Sequence, residues 1–444
     1  MTDDILPAAI GQADRSFPRL HPRPARGWVN DPNGIMRIGD RWHLFFQNNP
    51  DSARHDRICW GHMSSPDLLG WTEHPVALRP QGGGPDSAGC WSGVGVLEKG
   101  VPTAVYSGVR APHAPLAEVL LARGTADAET WTQEGLVAAG IPEDPAVTAI
   151  RDPFLFELGG RRWALQGAGL TGGRGALLLY GAEDLEQWEY HGVFLEASDE
   201  VASRWPASDV WECPQLVRSG EDWVVLVSHL RYGEDPHVGV GSLVGSLAID
   251  EGTGLPVFTP RSAGIIDDGV AFYAPQAVQS TGADGQGERV LVWGWVEELP
   301  APGLPGRTQE ESDAAGWSGA MSFPRELLVT DDIAWLAPAR ELTALRAEPC
   351  DAAALPDQAE VLLTGTGAAR LLLAPHGEDG PAVWEGVLTP GEEVRVLVDA
   401  SIIEVHRGGG PATTLRAYPA EGEAYRLEAE PTVSVRAWRL GLPV

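Results

Sequence analysis

At 444 residues, 43% of them hydrophobic, the chain can bury sizeable cores and divide into two or more domains, which excludes a disordered protein. A formal net charge of −30, from 62 acidic against 32 basic residues, disfavours a nucleic-acid partner or an anionic membrane and fits a neutral small-molecule ligand. The first residues, MTDDILP, lack a basic stretch followed by an apolar run, so no secretory leader is expected, and no apolar run reaches spanning length. Cys59, Cys90, Cys213 and Cys350 lie far apart without metal-ligand spacing. A cytoplasmic protein with reduced thiols, no metal and no cofactor is the expectation, and oligomeric state is left open.

The first element of note is the turn WVNDPNG at 28–34, which holds Asp31. Alone it is turn chemistry, with Pro fixing φ and Gly accepting a positive one. Further along, RDP at 151–153 and WECP at 211–214 hold Asp152 and Glu212. Three carboxyls gathered on one scaffold suit cleavage of a glycosidic bond.

A repeat supplies the gathering. Strand-like segments begin at Arg41 (RWHLFFQ), Val101 (VPTAVYSG), Arg161 (RRWALQG), Glu221 (EDWVVLVS) and Arg289 (RVLVWGW), with separations of 60, 60, 60 and 68 (101−41, 161−101, 221−161, 289−221). Trp71, Trp131 and Trp188 echo at 60 and 57 (131−71, 188−131). Several β-like segments per period, with Gly and Pro turns between them, predict a propeller of five blades. On that period Asp31, Ser92, Asp152, Glu212 and Tyr273 fall 61, 60, 60 and 61 apart (92−31, 152−92, 212−152, 273−212). If each begins an innermost strand, all five face one end of the central channel. The phase is lost after about Arg340. Strand-like runs from AEVLLTGTG to VSVRAWRL, broken by Gly, Pro and Asp, predict a β-sandwich. The expected architecture is all-β, a five-bladed propeller over 1–340 followed by a short sandwich over 348–444.

These motifs, with HPRP at 21–24, LFFQNNP at 44–50, CWGH at 59–62, WSG at 91–93, FYAPQ at 272–276, GWSGAMSFPREL at 316–327 and VDASIIEVH at 398–406, resemble glycoside hydrolase family 32. That family comprises β-fructofuranosidases such as invertases, levanases, inulinases and sucrose-6-phosphate hydrolases. The resemblance implies retaining hydrolysis of terminal β-D-fructofuranosides in sucrose or short fructo-oligosaccharides, with Asp31 as nucleophile, Glu212 as acid/base and Asp152 stabilising the transition state. Crowding is expected to raise the Glu212 pKa, with Arg151 limiting the repulsion. Asn30, Gln47 and Ser92 are expected to bond sugar hydroxyls, and Trp60, Trp91, Tyr273, Trp293 and Phe46 to form aromatic walls. Cys213 reads as a packing residue, because no phased histidine activates it.

Two departures stand out: Ala271 occupies a place where the family usually carries an acid, and the sandwich spans only about 97 residues (444−348+1). A fructosyltransferase using the same intermediate, and a propeller that binds fructans without catalysis, are the competing readings. The sequence does not choose among sucrose, its 6-phosphate, inulin and levan.

Overall fold

The computed structural model describes residues 14–443 apart from 112–113, 234–235, 283–286 and 376–377. Residues 1–7, on which the expectation of no leader rests, lie outside them. The described chain is all-β, with one α-helix, Gln309–Ala315, and two short 3-10 turns at Ala202–Arg204 and Arg340–Leu345. The α-helix is started by a capping box in which Thr308 and Glu311 bond each other's backbone N–H groups. None of the described helices is long and apolar enough to cross a membrane.

Up to Pro338 the strands form five successive antiparallel sheets. Their first strands are Gly27–Ile38, Gly89–Glu98, Val147–Leu158, Val210–Ser219 and Phe272–Gly282. The second strands, Arg41–Asn49, Val101–Val109, Arg161–Leu170, Asp222–Leu230 and Gly287–Val296, are the repeated segments read from the sequence. Each first strand lies against the next, and the first of all also lies against Phe272–Gly282. Gly27 and Trp28 pair in parallel with Trp317 and Ser318, tying the start of this region to its end. Trp71, Trp131 and Trp188 recur because each solves the same packing problem: its indole N–H donates to the carbonyl three residues earlier, that of Leu68, Ala128 or Leu185, at the entry to an outermost strand.

Beyond Arg346 two further sheets, one of six strands and one of three, share a separate apolar core that includes Val361, Leu371, Val396 and Tyr425. The join to the first five sheets holds a fully buried polar cluster beside apolar contacts such as Leu20 and Phe323 with Leu397. Arg325 donates to Asp267, Glu404 and Thr414, and His21 bridges Asp399 and Glu404. Thus the segment VDASIIEVH faces inward, with Asp399, Ser401, Glu404 and His406 all buried. Ala271 is buried here too, packed with Val296, Ala320 and Ile402.

Candidate active site

In every one of the five sheets the first strand slips register near its start. The breaks fall between Val29 and Pro32, Cys90 and Gly93, Glu212 and Gln215, and Tyr273 and Gln276, and at Asp152 in the third sheet. Such bulges leave backbone groups off the ladder and re-aim side chains. Serine hydroxyls take up two of the freed groups: Ser107 Oγ accepts from Asp152 N–H at 2.8 Å, and Ser228 Oγ accepts from Ala274 N–H at 3.0 Å. Asp152, Cys213 and Ala274 all adopt positive φ (58°, 47° and 46°) immediately before a proline. Aligned on that conformation the series runs Asp152, Cys213, Ala274, so Glu212 stands one residue ahead of the place Asp152 holds, level with Arg151 and Tyr273. The even spacing of 60 read from the sequence therefore conceals a one-residue offset.

That offset is what brings unlike groups together. Arg151 Nη1 donates to Glu212 Oε1 at 2.9 Å, and the Tyr273 hydroxyl donates to Glu212 Oε2 at 3.0 Å. Asp152 Oδ2 accepts the Cys213 N–H at 3.0 Å. Asp31 accepts from Gln47 at 2.9 Å, from Asn30 at 3.1 Å and from the Ser92 hydroxyl. The Cys213 thiol lies 3.6 Å from both Asp31 and Asp152, packed behind the carboxylates. Burial pushes that thiol well up, so it is neutral and serves as packing.

Burial also raises the Asp31 carboxyl, helped by the charge of Glu212 and opposed by the Ser92 and Asn30 hydrogen bonds. Asp152 is pushed up to about 7, by burial first and by Glu212 second, with Arg151 pulling the other way. Asp152 and Asp31, not the residue for which crowding was expected to act, are the carboxyls raised here, and burial is the first cause at both. Near neutrality the cluster retains protons that isolated carboxyls would lose.

These groups line a cavity of about 360 Å³. Asn30, Asp31, Gln47, Trp91, Arg151, Asp152, Glu212 and Tyr273 all reach it; Ser92 touches it through Asp31. Two expected walls do not. Trp60 is 1% exposed, packed among Phe45, Cys90 and Tyr106, and its indole N–H donates to the Trp91 carbonyl at 3.0 Å. Trp293 is fully buried with Val29, Leu44 and Phe46, two residues deeper along its strand than the cavity. Both are core residues, as is Phe46.

Their place is taken by Trp28, Trp295, His55, Leu230 and His237, which sequence reasoning did not select. Antiparallel alternation puts the ends of second strands and the starts of third strands at the same edge as the bulges. Leu230, Trp295 and His237 occupy those positions. Trp28 and Trp295 meet edge to face at 5.7 Å, and His237 stacks on Tyr273 at 4.1 Å. No group of three or more His, Cys, Asp or Glu among the described residues is arranged to hold a metal ion.

Residues 21–337 match the family model for the N-terminal domain of glycosyl hydrolases family 32. The chain belongs to glycoside hydrolase family 32. Among curated relatives of this family 32 protein, a sucrose-6-phosphate hydrolase of Klebsiella pneumoniae is 33% identical over 346 residues, covering 76% of this chain and 70% of the relative. A raffinose invertase of Escherichia coli is 29% identical over 438 residues, covering 96% and 85%. Among solved structures, a family 32 β-fructofuranosidase of Bombyx mori superposes with a TM-score of 0.79 at 24% identity, over 99% of this chain and 97% of that one.

Proposed function

We propose that this family 32 hydrolase cleaves terminal β-D-fructofuranosides, sucrose or short fructo-oligosaccharides, with retention of configuration. The observation that carries the reading is the convergence of Asp31, Asp152 and Glu212 on one cavity, each with a different set of partners. Asp31 attacks the anomeric carbon and forms a fructosyl ester. Its hydrogen bonds from Asn30, Gln47 and Ser92 favour the ionised form that attack requires. Glu212 protonates the departing oxygen and then takes a proton from the incoming water. Arg151 and Tyr273 hold its two oxygens in place. Asp152, anchored by the Cys213 N–H, binds fructose hydroxyls and tightens on them as positive charge develops at the ring. Trp28, Trp91 and Trp295 supply the apolar walls.

The fold we propose for 1–340 is a five-bladed propeller with the site at one mouth of its channel, and for 348–444 a short β-sandwich. The order of the five sheets and the contacts between their first strands support this arrangement. A reducing, cytoplasmic setting fits the four unbridged cysteines. Relatives named as hydrolase and invertase favour hydrolysis over transfer.

Asp31→Asn and Glu212→Gln, assayed on sucrose, test the roles. Each substitution is expected to lower kcat by at least about a hundredfold. Unchanged hydrolysis in either variant would overturn the assignment.

A further inference from the structure

A second cavity of about 390 Å³ adjoins the first, and the residues common to the two linings are His237 and Tyr273. His237 begins the third strand of the fourth sheet. Its Nδ1 is taken by Glu297 Oε2 at 2.7 Å, which leaves Nε2 as the nitrogen able to meet a ligand. The ring lies flat on Tyr273, whose hydroxyl donates to Glu212. A departing sugar must leave from beside Glu212, because that carboxyl protonates its oxygen. The Tyr273–His237 wall, which flanks Glu212 opposite Oε1 and its Arg151 partner, is therefore a surface within reach of the leaving group.

The second cavity has the chemistry of a neutral polyol site. His229 in its lining is 1% exposed, and its Nε2 has no hydrogen-bond partner among the described residues. A side chain at Gly241 would stand 2.5 Å from that nitrogen and 2.6 Å from the Trp205 ring, so only glycine fits beside these rings. Asp268 and Glu297 add acceptors, while Val270 and Leu299, 40% and 44% exposed, offer apolar faces for the C–H side of a sugar. Among the described residues no Lys or Arg lines this cavity; Arg151, the one Arg or Lys lining the first, is held by Glu212, and His237 is held by Glu297. A phosphate here would face Asp268 and Glu297 with no cation that is not already paired.

We propose that His237 is a specificity-determining residue that reads the leaving group, and that the second cavity accepts an unphosphorylated sugar extending beyond the scissile bond. This rests on the fructosidase reading, and the test separates the two. kcat/KM is measured for methyl β-D-fructofuranoside, sucrose, sucrose 6-phosphate and raffinose in the wild type, in His237→Ala and in Val270→Trp, which fills the cavity from an exposed position.

In the wild type raffinose is expected to be a better substrate than sucrose 6-phosphate. In both variants kcat/KM for raffinose should fall at least tenfold relative to that for the methyl fructoside. Equal losses on all substrates, no loss on raffinose, or preference of the wild type for the 6-phosphate would overturn the proposal while leaving the fructosidase reading intact. A wild type that cleaves none of the four would overturn that reading itself.

Discussion

Asp152 carries a pH consequence for the folded protein as well as a place in the site. Burial and the neighbouring Glu212 hold its carboxyl at about 7, whereas an unfolded chain releases that proton near 4. Between those values the folded state binds more protons than the unfolded one, so stability falls as pH rises through the window. Asp152→Asn keeps an acceptor for the Cys213 N–H and removes the titration. Its melting temperature is expected to exceed that of the wild type at about pH 8, with the gap narrowing at about pH 5. A gap that is the same at both, or a variant less stable at the higher pH, would show that Asp152 is not the strained member of the cluster. The three carboxylates were legible because each sits in a recognisable turn at a common phase. The aromatic lining was not: Trp60 and Trp293 have the residue type of a sugar wall, and only the depth along a strand separates them from Trp295. His237 has no counterpart in the repeat, and the signal that could have found it is its position at the start of a third strand.

The element that makes the site is the bulged start of a first strand, stabilised from the neighbouring second strand. Ser107 and Ser228 accept the N–H groups of Asp152 and Ala274, residues held at positive φ where a side chain costs energy. Ser228→Ala would leave the Ala274 N–H buried and unpaired beside Tyr273, a loss of about 1–3 kcal/mol. Chemical denaturation should show that loss, and kcat should fall with it as Tyr273 loosens its hold on Glu212. A variant of unchanged stability and rate would show that the bulge holds without the serine. The repeat of about 60 residues is plain in the second strands, whose apolar alternation is strong, and it locates the first strands to within a residue or two. The one-residue offset between Asp152 and Glu212 was beyond its reach, since a bulge changes the facing of a side chain without changing the spacing of the strands.

For the molecule as a whole, the two β regions are joined by buried charge as well as by small apolar clusters such as Leu20, Phe323 and Leu397. Arg325, Asp267 and Glu404 are fully buried at the join, with Thr414 and His21 completing the hydrogen bonds. Arg325→Met would leave Asp267 without a cation and Glu404 with His21 alone as its cation, a loss of about 3–5 kcal/mol. A calorimetric scan should show a lower melting temperature, and a separate transition for the residues beyond 348 would mark them as a domain in their own right. An unchanged scan would place the strength of the join elsewhere. The sequence announced the strands on both sides of this join through alternation and turns. It did not announce that VDASIIEVH is its inner face, because a segment with Asp399, Glu404 and His406 reads as solvated until the partners, 70 and more residues away, are known.

All three scales meet in the claim that Asp31 is the nucleophile of a double displacement. Incubating Glu212→Gln with β-fructosyl fluoride, whose leaving group needs no acid, should trap the ester, since the variant lacks the base that activates water. Digestion and mass spectrometry are expected to find one fructosyl residue bound to the peptide that contains Asp31. A fructosyl group on the Asp152 peptide, or fluoride release with no covalent adduct at any time point, would contradict the account.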